Sequence, residues 1–160
     1  MDRMRELSEA DARGSVAKIY EEIRKYYAAP YVSSLFRHLA TYPGLLEWIW
    51  NITLPAFETG LMQNTGWKHV DVSGLKPLTP LSKEDLAAMK IDCVEKNIII
   101  ETCLTFTRVS PINLVFAGCL EHLLLGKKIN VSAKKQDEFP LPSELLLLPK
   151  MVSWEDMTER

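Results

Sequence analysis

Four polar residues interrupt an otherwise apolar stretch, and their spacing gathers them on one helical face. Asn97, Glu101, Thr105 and Arg108 stand at i, i+4, i+8 and i+11, while most of 91–109 is Ile, Val, Cys, Leu and Phe. A carboxylate and a guanidinium taken out of water together need each other and further hydrogen bonds. The chemistry this allows is a polar pocket: Arg108 holds an anionic substrate, and Glu101 or Asn97 orients a water. Two plainer readings fit the same spacing. One is the solvated stripe of a partly exposed helix, the other a buried structural pair.

Other reactive residue types form no such set. His38, His69 and His122 lie far apart with no partner at metal-ligand spacing, so no metal site is expected. Cys93, Cys103 and Cys119 are odd in number and widely spaced, with no CxxC. Buried free thiols are the expectation for them. No GxSxG, P-loop or GxGxxG occurs, and no cofactor is expected. Ser33-Ser34 fall near the start of a helix, where they either cap it or help bind an anion.

The chain of 160 residues and 18.2 kDa is the size of one domain with a real core. Its net charge of −2 and scattered Lys and Arg argue against a nucleic-acid partner. The N-terminus MDRMRELSEADARG has no apolar signal region. The longest uncharged run, Val109 to Leu120, is too short to span a bilayer. A cytoplasmic protein with no membrane partner is the expectation.

The elements that would position these residues are helices. Val16, Ile19, Tyr20, Ile23 and Tyr27 follow the period of an amphipathic helix that ends before Pro30. A second helix is predicted over about 31–42 and a third over about 43–62, separated by a sharp break at Tyr42-Pro43-Gly44. Pro55 should kink or break the third near Thr53. Trp48, Trp50, Phe57 and Leu61 read as core or as a subunit interface. Residues 66–81 form a connector, and Ser82 caps a helix continuing to about Arg108. Ser110-Pro111 then ends that run, and a last helix covers 112–125, closed by Gly126. The fold class is all-α, a single domain of about five to six helices over 1–126. Residues 127–160 form a Pro/Leu-rich tail, whose Leu145–Leu148 should lie across this or a neighbouring subunit.

Three segments together resemble the DehI-type 2-haloacid dehalogenase family. They are GSVAKIYEEIRKYYAAPYVSSLFRHLATYPGLLEWIW (14–50), FTRVSPINL (106–114) and PLPSELLLLP (140–149). The resemblance implies an all-helical scaffold in which two related repeats pack as a pseudo-dimer around a buried site. It further implies that a water activated by an aspartate attacks the α-carbon and displaces halide, with help from an asparagine of the other repeat. This chain looks like one repeat and its linker, so two copies would pair as a two-fold homodimer. The family's aspartate falls around Ser33-Ser34-Leu35, where no carboxylate is present. That leaves Glu101 to activate water and Asn113 to position it. Arg108, Arg37 and Ser34 would bind the carboxylate of a small 2-substituted acid. The alternative is a non-catalytic relative that keeps the scaffold and a small-acid pocket, or serves as an interaction module.

Overall fold

The computed structural model describes residues 5–130, 134–136 and 144–147, and among them there are six helices and no strand. The all-α expectation holds. The apolar period at 16–27 becomes α1 (Gly14–Tyr27), which buries Ile19, Tyr20, Ile23 and Tyr27. Short α2 (Ser34–Leu39) follows, then the break over 40–44. Gly44 there has φ 76°, a left-handed backbone that favours glycine, and N-caps α3 (Leu45–Glu58).

The core is an aromatic cluster shared by α1, α2, α3 and the last helix. Phe36 meets Phe116 at 4.6 Å between ring centroids, and Trp50 stacks on Phe57 at 4.9 Å. Tyr27 lies between Phe36 and Phe57 at 5.5 and 5.4 Å. Trp50 and Phe57 are core as expected, with the Trp50 indole donating to Glu22 at 2.6 Å. Trp48 instead is 39% exposed.

Neither internal proline ends its helix. Pro55 remains inside α3, and α3 stops at Glu58 rather than near residue 62, because Gly60 at φ 75° turns the chain into α4 (Leu61–Lys68). Pro111 does not end a helix either. It lies within one 32-residue helix, α6 (Cys93–Leu124). A proline leaves the carbonyl four residues back without its donor. Those carbonyls belong to Asn51 and Thr107, both exposed, so water can take the missing place.

The run expected from Ser82 to Arg108 is in fact two helices. Ser82 and Asp85 form the expected capping box of α5 (Lys83–Ala88), and Lys90 at φ 58° then breaks the chain. Asp92 and Glu95 form a second capping box that starts α6. By length and composition α6 could cross a bilayer, with a mean hydropathy of 1.4 and 22% of its apolar window buried. The cysteines also depart from expectation: Cys93 and Cys103 are exposed and Cys119 is half-buried. α6 carries apolar residues on its outward side as well as its buried one, which leaves Cys93 and Cys103 outside the core. Of the tail, the Gln136 amide donates to the Thr59 carbonyl at 2.8 Å and Leu145–Leu147 are exposed. Most of 127–160, including Leu148, lies outside the described residues.

Candidate functional site

α6 turns Thr105, Val109, Ile112 and Phe116 into the core. The polar stripe singled out above runs along one edge of that buried face. Asn97 is exposed, Glu101 and Arg108 are half-buried, and Thr105 is buried. Arg108 spends its guanidinium on backbone: Nε and Nη2 donate to the Ala28 carbonyl at 3.1 and 2.8 Å. Ala28 is the left-handed C-cap of α1, where a cation is favoured by the helix dipole. Burial lowers the Arg108 pKa, and the nearby Glu101 charge opposes that shift. The guanidinium therefore closes the end of α1, with Glu101 as an electrostatic neighbour.

A second polar set lies between α2 and α6. Tyr31 packs on Phe106 with ring centroids 6.0 Å apart, and Phe36 packs on Phe116. In sequence Ser33 lies between Tyr31 and Phe36, and Asn113 between Phe106 and Phe116. The Oγ of Ser33, the Oδ1 of Asn113, the Oη of Tyr31 and the Nε of Arg37 are buried with no hydrogen-bond partner. Ser33 occupies the N-cap position of α2 yet makes no capping bond. Its neighbour Ser34 is exposed. Arg37, four residues on, uses Nη2 to hold Glu6 at 2.8 Å. Burial raises the Tyr31 pKa, with Arg108 opposing.

Buried polar atoms are nearly always paired, so uncommitted ones on the α2 segment and on α6 are candidates to meet a small polar ligand. Two of these groups are hydroxyls and one is a guanidinium N–H, which can donate to a carboxylate, while the Asn113 Oδ1 accepts. Arg37 and Asn113 belong to this set. Ser33, whose place at a helix start already suggests capping or anion binding, also belongs to it, as does Tyr31, which no motif marks. Glu101 stands apart, because twelve residues of helix separate it from Asn113 by about 18 Å along the axis. No single chain brings those two side chains together. Elsewhere, an open cavity of about 390 Å³ at the far end of α6 is lined by Cys119, His122, Lys128 and Asn130 among others, and holds none of the expected site residues. Among the described residues no cluster of His, Cys, Asp or Glu could hold a metal ion.

No family model matches the sequence, and no curated protein matches it. A solved structure does: that of a D-2-haloacid dehalogenase mutant in complex with D-2-CPA. The match has a TM-score of 0.69 at 17% identity over 98% of this chain. The fold is thus the DehI-like helical scaffold that the segments above resemble. The chain spans 56% of the length of that dehalogenase.

Proposed function

We propose that this protein takes small 2-substituted carboxylic acids between α2 and α6, and that it works as a pair of chains on a dehalogenase-type scaffold. The observation that carries this reading is the set of uncommitted buried polar atoms on Tyr31, Ser33, Arg37 and Asn113. The fold likeness supplies the substrate class. In this reading Arg37 and Ser33 hold the carboxylate and Asn113 positions the group on C2. Arg108 frames the site by fixing the end of α1, and exposed Ser34 lies at its rim. The reaction that belongs to this scaffold is hydrolysis: Glu101 takes a proton from water, the hydroxyl oxygen bonds to C2, and halide leaves with the carbon–halogen electron pair. The products are a 2-hydroxy acid and halide.

A second reading is a small-acid binder without hydrolysis. It is favoured by the absence of a carboxylate at Ser33-Ser34-Leu35 and by the distance from Glu101 to Asn113 within one chain. Incubation with D- and L-2-chloropropionate separates the two. Chloride release abolished in Glu101→Gln identifies the hydrolase. Saturable binding of either acid, lost in Asn113→Leu and without chloride release, identifies the binder. No binding of either enantiomer at millimolar concentration would sink both.

A further inference from the structure

The outward side of α6 carries an unusual pattern. Every residue there at alternating steps of four and three is solvent-facing or half-exposed: Lys96, Ile100, Cys103, Thr107, Ser110, Leu114, Ala117 and Glu121. The spacing is that of the a and d positions of a coiled coil over more than three heptads, with Ile100, Cys103, Leu114 and Ala117 as its apolar members. Between Lys96 and Glu121 the stripe holds no charge, over about 35 Å of helix. The two charges inside that span, Glu101 and Arg108, lie toward the core side instead. Leu114 is 75% exposed and Ile100 43%. Cys103, Thr107 and Ser110 at the middle are small enough for a second helix to approach closely.

We infer that α6 pairs antiparallel with α6 of a second copy, in one register centred between Arg108 and Val109. The charges fix that register. A two-fold axis there sets Lys96 of each copy opposite Glu121 of the other, and each a position opposite a d position. Ile100 then faces Ala117, Cys103 faces Leu114, and Thr107 faces Ser110. A parallel pairing would set Lys96 on Lys96 and Glu121 on Glu121, repelling at both ends. The pairing of chains rests on the function proposed above, and the register is new to it. It has a consequence for the site as well. Phe106 and Asn113 flank the stripe on the α2 side, so the second copy covers the side of α6 that holds Asn113.

Thiol cross-linking reads the register without reference to any substrate. In a Cys93→Ser, Cys119→Ser protein, Cys103 alone should give no disulfide dimer under copper-phenanthroline, because the two Cys103 positions lie well beyond bonding reach. Adding Leu114→Cys at its exposed position should give a covalent dimer, with the oxidant taking the two thiol electrons. Independently, Lys96→Glu should weaken the dimer about tenfold in sedimentation equilibrium, and Lys96→Glu with Glu121→Lys should restore it. Cross-linking through Cys103 alone overturns the antiparallel register. A monomer by light scattering, or flotation with phosphatidylcholine vesicles that shields Cys103 from maleimide, overturns the seam itself. Chloride release or acid binding by a monomer would overturn the seam and leave the small-acid reading standing.

Discussion

Arg108 on α6 closes the C-terminal end of α1 by donating two hydrogen bonds to Ala28, at 3.1 and 2.8 Å across 80 residues of chain. The planar guanidinium meets one carbonyl with two donors, a geometry that an ammonium does not reproduce. Hydrogen bonds to a charged group contribute about 1.5–3 kcal/mol. Arg108→Ala should therefore lower unfolding free energy by about that amount in urea titrations, and Arg108→Lys should recover less than half of the loss. A full rescue by lysine would mean that only the charge matters.

Ser33 and Asn113 should behave in the opposite way, leaving stability intact while removing binding. An N-cap serine replaced by alanine ordinarily costs about 1 kcal/mol. Ser33 makes no capping bond, and its buried hydroxyl has no partner. Ser33→Ala should thus cost only a few tenths of a kcal/mol, and Asn113→Leu should be neutral or stabilising, since each removes an unsatisfied buried group. Both should weaken 2-chloropropionate binding, read by chemical-shift titration, by about tenfold or more. A normal capping loss at Ser33 with unchanged binding would identify it as ordinary helix chemistry.

The frame of the protein is legible in its sequence where the signal is local. The period at Ile19, Tyr20, Ile23 and Tyr27, the break at Gly44 and the cap at Ser82 all depend on residues within a few positions of each other. The Asp92-x-x-Glu95 box is equally local, but it lies inside an apolar run that reads as one helix over 82–108. What sequence could not tell is which side of α6 faces inward. With Ile99, Ile100, Leu104 and Phe106 exposed and Thr105 buried, the apolar residues do not mark the buried face. Nor could spacing show that Ser33 points inward while Ser34 points out, or that the partner of Arg108 is a carbonyl on α1. The continuity of α6 through Pro111 likewise depended on whether Thr107 is exposed.

That continuity gives a further expectation. Pro111→Ala restores the amide that should donate to the Thr107 carbonyl. An interior helical proline costs about 3 kcal/mol relative to alanine, discounted here because water reaches Thr107. The variant should gain on the order of 1 kcal/mol in chemical denaturation and keep its helical circular dichroism. A loss of stability would show that α6 needs the proline's fixed backbone.

Gly66 sits where α4 crosses that same segment. A Cβ there would lie 3.0 Å from the Pro111 carbonyl carbon and 3.1 Å from the Ile112 nitrogen. Both are backbone atoms of a packed helix and have little freedom to retreat. Alanine gains about 1 kcal/mol over glycine in an open helix. At this position the gain should be cancelled or reversed, so Gly66→Ala should be neutral to destabilising and Gly66→Val destabilising by about 1–3 kcal/mol. A stabilised Gly66→Ala would mean that α4 and α6 can separate freely, which the buried position of Gly66 argues against.

The last expectation concerns alkaline pH. Tyr20 is buried, and its hydroxyl donates to the Leu7 carbonyl at 3.0 Å. Burial is the largest cause raising its pKa to about 12, with Arg37 opposing and Glu9 and Glu6 adding. In the unfolded chain a tyrosine ionises near 10. Between pH 10 and 12 the unfolded chain loses a proton that the folded one keeps, so stability falls as pH rises through this window. Below pH 10 the contribution is fully present. Tyr27, raised well above its ordinary value by burial, acts in the same direction. Tyr20→Phe removes one of these titrations at the cost of a hydrogen bond, about 1 kcal/mol at neutral pH. Urea midpoints measured from pH 9 to 12 should therefore fall less steeply in the variant than in the parent. Parallel slopes would show that Tyr20 ionises alike in both states, and that its burial does not resist the charge.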